Sequence, residues 1–518
     1  MAPPVKIRTP PVRPPAAAKD KPADDKSKSE VVDRKIDVPL GQRRATLPEK
    51  VTEPQHEPPT PKKLPAELPP PGEESARVKI TDPFVKTPAK PDTPKASPPE
   101  RQTIPQTAKP GKITPPVPPV MAQPAPAAIP GPALPDNGLG RDTETPVSPV
   151  ITEARGKKLR IDFFGTDLSF RYDPYIDKQL RQPIDNDKIG NYWKSMAGTD
   201  FKPLVTQVAQ FRNSLQLNDW GYFLLLNELA ENIVSSGREN DKNLFVWFMM
   251  VKSGYETKIG YREDQIHLLV PSDNRLFGLY YFTIKNRRYY ALSTTHRQKG
   301  LGKIYTYNGT YPGSENSLQF TLPKYPNIAS RPGTRELKFN YKGFDYNIRV
   351  DFNENAIPYF EYYPQNEAVI YTKAPLPPWL ETSLLAQLRP LIADKPEREA
   401  VNLLLRFTQK AFKYKTDQQQ FNREKFMFPE ETIFYPYSDC EDRSIFFSYL
   451  VRKLVGLDVI LLNYPNHIAT AVQLSVPVGD QVVVGGKRYT VCDPTFINAD
   501  LGKTMPKYKG LTPEVVFL

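Results

Sequence analysis

The stretch Ser438-Asp439-Cys440-Glu441-Asp442-Arg443-Ser444 contains one of only two cysteines in this chain of 518 residues. Residues 445–454 have apolar side chains at helical spacing, and the glycine at 456 is typical of a helix C-terminus. The spacing therefore predicts a helix that begins at Cys440. A thiol in the first turn lies near unsatisfied backbone N–H groups and the positive end of the helix dipole. We expect this position to favour the thiolate and to supply donors for an oxyanion.

Two strands and a hairpin are predicted after this helix. Residues 457–462 form an apolar run of strand length, residues 463–466 form a turn, and His467 begins the next strand. After further glycine-containing turns, the last strand of the pattern ends at Asp493. This order lets Cys440, His467 and Asp493 converge, so that the imidazole takes the thiol proton and the carboxylate orients the imidazole.

These residues resemble the transglutaminase-like cysteine peptidase superfamily, which has a papain-like Cys-His-Asp triad. The matching residues are the helix start Ser438-Asp439-Cys440-Glu441-Asp442, then His467, then Asp493-Pro494-Thr495. The resemblance covers roughly residues 395–500. It implies that Cys440 is the nucleophile, His467 the general base and acid, and Asp493 the orienting group. The chain departs from the family pattern at Ser438, where many members have glycine, and at the isoleucine after His467, where an aromatic residue is common.

The resemblance implies a thiol enzyme. Cys440 would attack an amide or peptide carbonyl, form an acyl-enzyme, and pass the acyl group to water or to an amine. We favour hydrolysis, because transfer requires an acceptor site shielded from water and no motif identifies one. The Cys440 backbone N–H would hold the oxyanion, with Tyr435 and Tyr437 as candidate side-chain donors. No cofactor is expected, and two cysteines with one nearby histidine do not make a closed zinc site.

Two alternatives remain open. Cys440 and Cys492 could be buried structural residues or could form a disulfide. However, if Asp493 faces His467, its neighbour Cys492 points to the opposite face of the strand, which disfavours pairing. The second alternative is a non-catalytic transglutaminase-like binding module that recognises peptide or cell-envelope partners. A pure scaffold has no physical need for all three triad residues, so we favour the enzyme.

Composition separates residues 1–155 from the rest of the chain. The first 150 residues hold 36 of the 58 prolines and a single aromatic residue, Phe84. Such a segment cannot bury a core, and its Pro-Pro repeats favour extended polyproline II. We therefore predict a disordered, Pro-rich tether, which at about 3 Å per residue could reach a cell-envelope partner.

The folded remainder is predicted to be α+β and to contain an internal duplication. A helix, a histidine and a strand within residues 241–293 repeat the order found within residues 442–493. In this alignment His267 matches His467, Glu239 takes the position of the cysteine, and Ser293 takes that of the aspartate. The first copy therefore loses the nucleophile and would serve to pack against the second copy or to present substrate.

Four segments result from this interpretation. They are a disordered Pro-rich tether (1–155), a degenerate non-catalytic transglutaminase-like unit (157–300), a β-rich segment (301–375) and a catalytic transglutaminase-like domain (376–518). The β-rich segment carries hairpin turn signals at Asn308-Gly309 and Lys342-Gly343. Asn308 also begins a glycosylation acceptor sequence, although the turn explains it better.

Charge and hydropathy limit the classes of binding partner expected for this protein. Of the net charge of +12, the first 150 residues contribute +5, from 23 basic against 18 acidic side chains, and the remainder is spread along the chain. Without a basic stripe or a known motif, we expect a protein or peptide substrate and no nucleic acid. No apolar run is long enough for a transmembrane helix. The N-terminus lacks an apolar signal core, so we expect an exported protein if a signal peptide was removed, and a cytoplasmic one otherwise.

Overall fold

A computed structural model describes residues 30–32, 34–36, 156–292, 302–307 and 309–518, which together form an α+β structure as predicted. The helices are α1 (Asn186–Ala197), α2 (Lys202–Ser214), α3 (Asp219–Ile233), α4 (Glu239–Lys252), α5 (Ala356–Glu361), α6 (Ala368–Lys373), α7 (Pro378–Ile392), α8 (Glu397–Ala411), α9 (Asp417–Gln420), α10 (Pro429–Phe434) and α11 (Cys440–Leu454). The strands are β1 (Glu30–Val32), β2 (Arg34–Ile36), β3 (Lys157–Phe163), β4 (Thr166–Tyr172), β5 (Lys258–Arg262), β6 (Gln265–Pro271), β7 (Tyr280–Ile284), β8 (Arg287–Leu292), β9 (Ile304–Tyr307), β10 (Pro332–Tyr341), β11 (Phe344–Asn353), β12 (Lys413–Tyr414), β13 (Tyr437–Ser438), β14 (Val459–Tyr464), β15 (His467–Val472), β16 (Gln481–Val484), β17 (Lys487–Cys492) and β18 (Glu514–Phe517).

Two antiparallel sheets organise the described residues. The first has the strand order β1-β9-β5-β6-β8-β7-β2, and the second has the order β16-β17-β15-β14-β18. Helix α4 packs against β6 of the first sheet, and α11 packs against β14 and β15 of the second. One large apolar cluster contains residues from well-separated parts of the chain, from Phe170 in β4 to Ile468 in β15. Among the described residues, no helix combines the length and the apolar character needed to cross a membrane.

Strands β1 and β2 lie within the segment predicted to be a tether. β1 pairs with β9 and β2 pairs with β7, so this short stretch covers both edges of the first sheet. Val31, Val32 and Ile36 are β-branched residues that favour strands, and an edge strand offers unpaired backbone groups to such a segment. The expectation of a uniform tether over residues 1–155 is therefore corrected at residues 30–36.

The two sheets have the same connectivity. Strands β9-β5-β6-β8-β7 of the first correspond, in chain order and in neighbour order, to β18-β14-β15-β17-β16 of the second. The helix before each sheet begins at the residues aligned on sequence, Glu239 and Cys440. Both helices also make an equivalent bond to the sheet, since the Asn243 amide and the Ser444 hydroxyl each donate to an isoleucine carbonyl at 3.0 Å.

The strand register corrects one part of the sequence alignment. Arg262 pairs with Gln265 across the first hairpin, and Tyr464 pairs with His467 across the second, so Gln265 is the counterpart of His467. His267 lies two residues further along β6. His267 is therefore offset from the position of His467, partly because strand β14 has six residues and its counterpart β5 has five. Ser293, the expected counterpart of the aspartate, lies outside the described residues.

The segment 301–375 does not form a separate β unit. Strand β9 belongs to the first sheet, whereas β10 and β11 form a long hairpin that packs against α7 and α8. Its turn at Lys342-Gly343 has positive φ angles of 50° and 83°, which confirms the predicted hairpin. Helices α5 and α6 follow, where the apolar residues do not alternate with polar ones. The turn and glycosylation signals at Asn308 lie outside the described residues.

Candidate active site

Helix α11 places Cys440 in its first position, as the sequence predicted. Asp439 is the N-cap residue and exchanges capping interactions with Asp442, the third residue of the helix. The helix ends at Leu454, and Gly456 follows with a φ of 76° that favours glycine. As the first helical residue, Cys440 has a backbone N–H without an intrahelical acceptor, which is the donor that an oxyanion needs.

His467 and Asp493 meet on the second sheet. The Nε2 atom of His467 lies 2.8 Å from Oδ2 of Asp493, and both side chains are buried. The other carboxylate oxygen accepts hydrogen bonds from the Thr495 backbone N–H at 2.9 Å and hydroxyl at 2.8 Å. Burial alone would raise the pKa of Asp493, but the hydrogen bond and charge of His467, together with Thr495, lower it overall. The carboxylate is therefore held in the charged form that orients an imidazole.

Aromatic rings fix the plane of the imidazole. The Tyr508 ring is parallel to that of His467, with an interplanar angle of 2° and a centroid separation of 4.8 Å. Tyr464 stacks on Tyr508 in turn, at 5.0 Å. Because Asp493 engages Nε2, Nδ1 is the ring nitrogen that remains to accept a proton. No sequence motif marked Tyr508, which reaches the site from the loop before β18.

The Cys440 thiol is influenced by the backbone of β15 and by the neighbouring Glu441. The backbone N–H of Ile468, the residue after His467, acts against burial and lowers the pKa of the thiol. The thiol itself donates to Glu441 Oε2 at 3.0 Å. Among the described residues no hydrogen bond joins Cys440 to His467, so the proton of the resting thiol is directed to Glu441. Catalytic hydrogen bonds of this kind often form only when substrate is bound.

The acidic surroundings of Cys440 overturn the expectation of a favoured thiolate. Burial raises the pKa of the Cys440 thiol well above its usual value, and the negative charges of Glu441 and Asp439 raise it further. The sequence placed the acids beside the cysteine but did not show that they are buried with it.

The acids around Cys440 form a cluster that could hold a cation. Carboxylate oxygens of Asp417, Glu424 and Glu441 lie within 4.8 Å of one another, as do those of Asp417, Asp439 and Asp442. Burial and the neighbouring charges raise the pKa of Asp417 to about 10 and that of Asp442 to about 7. Such a group either takes up protons or binds a hard divalent cation, which prefers oxygen ligands.

Of the two tyrosines proposed as oxyanion donors, Tyr435 has its hydroxyl bonded to another residue, whereas Tyr437 has a lysine over its ring. The Tyr435 hydroxyl donates to Glu361 at 3.4 Å, and Lys415 lies over the Tyr437 ring, 3.9 Å from its centroid. The structure instead brings Tyr414 to the site, because β12 pairs with β13 and sets Tyr414 beside Ser438. Partial burial raises the pKa of the Tyr414 hydroxyl, and the charges of Cys440, Asp439 and Glu441 raise it further. Tyr414 could not be identified as a site residue from the sequence, because only the pairing of β12 with β13 brings it there.

Cys492 has a structural position. Both cysteines are free, and Cys492 is fully buried whereas Cys440 is partly exposed. Cys492 packs with Phe446 in the core on the α11 side of the sheet, and the following Asp493 faces His467. The alternative of a disulfide between the two cysteines is therefore excluded in this structure, and the opposite orientation of Cys492 and Asp493 is as predicted.

Comparisons with protein-family models, with curated proteins and with solved structures found no match to this chain.

Proposed function

We propose that this protein is a thiol-dependent amide or peptide hydrolase whose transglutaminase-like catalytic domain comprises residues 376–518. The observation that carries the proposal is the buried pair of His467 and Asp493, joined at 2.8 Å, together with Cys440 at the N-terminus of α11. The backbone N–H of Ile468, the residue after His467, lowers the pKa of the Cys440 thiol. These observations support a site in which Cys440 would serve as nucleophile, His467 as base and Asp493 as orienting acid, the roles found in thiol hydrolases.

The proposed reaction has two stages. Nδ1 of His467 takes the thiol proton as the sulfur attacks the substrate carbonyl carbon, and the Cys440 backbone N–H binds the oxyanion. The intermediate then expels the amine, which receives the proton from the imidazolium, and leaves a thioester on Cys440. Water attacks the thioester with His467 as base, which releases a carboxylic acid and the free thiol. An amine in place of water would give acyl transfer instead.

A second candidate is a non-catalytic transglutaminase-like binding module that recognises peptide or cell-envelope partners. One observation favours it, namely the raised pKa of the Cys440 thiol and its hydrogen bond to Glu441. In both candidates the first copy is non-catalytic, because Glu239 and Gln265 occupy the positions of Cys440 and His467.

Alkylation of the full chain with a limiting amount of iodoacetamide tests the enzyme. The modified cysteines are identified by mass spectrometry over a range of pH, in the wild type and in His467→Ala. Cys492 is an internal control because it is a buried thiol in the same molecule. We expect Cys440 to react faster than Cys492 and to slow markedly in His467→Ala. Slow labelling of Cys440 that does not depend on His467 would favour the binding module.

A further inference from the structure

Gln409, in the last turn of α8, is a buried residue that binds the loop after Asp493. Its side-chain amide nitrogen lies 3.1 Å from the carbonyl oxygen of Asp493, 3.0 Å from that of Phe496 and 2.9 Å from that of Ala499. Its side-chain oxygen accepts a hydrogen bond from the backbone N–H of Asn498 at 3.2 Å. The amide therefore contacts four backbone groups of one loop, its two N–H groups being shared among three carbonyl oxygens, and only about 1% of Gln409 is exposed.

The main chain of Gln409 contacts the other half of the site. Its carbonyl oxygen accepts a hydrogen bond from Arg443 at 3.3 Å. Arg443 lies one turn after Cys440 in α11, and its guanidinium also donates to the Ser438 hydroxyl at 3.1 Å and to the Phe412 carbonyl at 2.8 Å. Gln409 is therefore bonded both to the segment that carries the cysteine and to the loop that carries the aspartate.

We propose that Gln409 is a positioning residue, which holds Asp493 against His467 and sets that pair relative to Cys440. This inference rests on the proposed function, because it concerns the same site. Asp493 follows the last residue of β17, so beyond the sheet its main chain is held by contacts of this loop. The Gln409 amide bonds the main-chain carbonyl of Asp493. This bond holds the Asp493 carboxylate more rigidly than it would be held in a solvent-exposed loop.

Gln409→Met tests the inference, because methionine fills a similar volume without the hydrogen bonds. Asn402→Met is the matched control. Asn402 also lies in α8 and has an amide side chain bonded to the same loop, because its Oδ1 accepts a hydrogen bond from the Leu501 backbone N–H at 2.8 Å. This contact is further along the chain from Asp493. Gln409→Glu is the second variant. It keeps the volume and the acceptor for Asn498, but when ionised it sets a negative charge against three carbonyl oxygens.

The first measurement is NMR of the full chain labelled with ¹⁵N only in its four histidines, with the His467 signals assigned from His467→Ala. We expect the protected ring N–H that donates to Asp493 to be visible in the wild type and in Asn402→Met. It should be lost in Gln409→Met, and in Gln409→Glu it should disappear as the pH rises. This measurement does not depend on whether Cys440 is a nucleophile.

The second measurement is the pH profile of Cys440 alkylation by iodoacetamide. We expect Gln409→Met to slow the reaction by between about 10- and 100-fold, towards the profile of His467→Ala, and Asn402→Met to keep the wild-type profile. Retention of the His467 ring N–H in Gln409→Met, or equal effects of both methionine variants, would overturn the inference. Failure of both Gln409 variants to fold would also overturn it, since Gln409 would then act through stability. Loss of the ring N–H in a protein whose wild-type Cys440 is unreactive would support the positioning role and refute the proposed function.

Discussion

Glu441 controls the ionisation of the thiol beside it. Its carboxylate accepts the Cys440 S–H bond and, after burial, is the largest cause of the raised pKa of the Cys440 thiol. In Glu441→Gln the amide keeps the shape of the side chain and removes its charge. We therefore predict that the pKa of Cys440 falls towards its ordinary value. The pH at which iodoacetamide reacts at half its maximal rate should decrease accordingly.

The matched control for this charge change is Glu239→Gln. Glu239 begins α4 as Cys440 begins α11, and its side chain is exposed. This variant should leave the alkylation profile of Cys440 unchanged. An unaltered profile in Glu441→Gln would show that the charge of Glu441 does not raise the pKa of the thiol.

Asp493 should make stability depend on pH in the acid range. Its pKa in the folded protein lies below its ordinary value of about 3.9. A lowered pKa stabilises the folded state above the unfolded-state value, and this stabilisation is lost as the pH falls through the folded-state value. We predict that Asp493→Asn removes this dependence, so that its free energy of unfolding falls less steeply than that of the wild type between about pH 5 and pH 2.

Urea unfolding at a series of pH values measures the difference. Asp167→Asn is a suitable control because Asp167 forms an exposed ion pair with Arg160, and such pairs contribute little to stability. Parallel curves for wild type and Asp493→Asn would contradict the prediction.

At the scale of elements, Arg443 joins α11 to the C-terminal end of α8. Its guanidinium is fully buried and donates to two backbone carbonyls and the Ser438 hydroxyl. Arg443→Met would leave these acceptors buried without a donor, at a cost of about 1–3 kcal/mol for each unsatisfied group. We predict a decrease of about 3 kcal/mol or more in the free energy of unfolding, measured by urea denaturation.

Arg452→Met provides the comparison on the same helix. Arg452 is exposed and donates one hydrogen bond, to the Thr372 carbonyl. We expect its substitution to change the free energy of unfolding by less than about 0.5–1 kcal/mol. If Arg443→Met and Arg452→Met decreased the free energy of unfolding by similar amounts, Arg443 would contribute through its charge and not through its buried contacts.

The elements themselves were predictable where the local signal was strong. Apolar spacing and Gly456 defined α11, and alternation with a glycine turn defined the β10–β11 hairpin. The pairing of Tyr464 with His467 was not predictable from the aligned histidines, because register depends on the length of both strands. The same reason explains why Gln265, and not His267, corresponds to His467.

At the scale of the whole molecule, residues 30–32 and 34–36 pair with the first sheet although they lie within the Pro-rich sequence. Their backbone pairs with β9 and β7 at the two edges of the first sheet. We therefore predict slower hydrogen exchange in peptides that cover residues 30–36 than in peptides from residues 49–143, whose composition predicts a disordered chain. Exchange followed by mass spectrometry gives the comparison within one sample. Equally fast exchange in both regions would refute the pairing in solution.

From the sequence we could predict the α+β class, the helix that begins at Cys440, the strand that begins at His467 and the strand end beside Asp493. These features follow from side-chain periodicity and from glycine turns, which act over a few residues. Tertiary structure alone decided the contact of His467 with Asp493, the arrival of Gln409, Tyr414 and Tyr508, and the raised pKa of the thiol. The physical reason is that burial and hydrogen bonding between distant segments depend on how the helices and sheets pack, which no local pattern specifies.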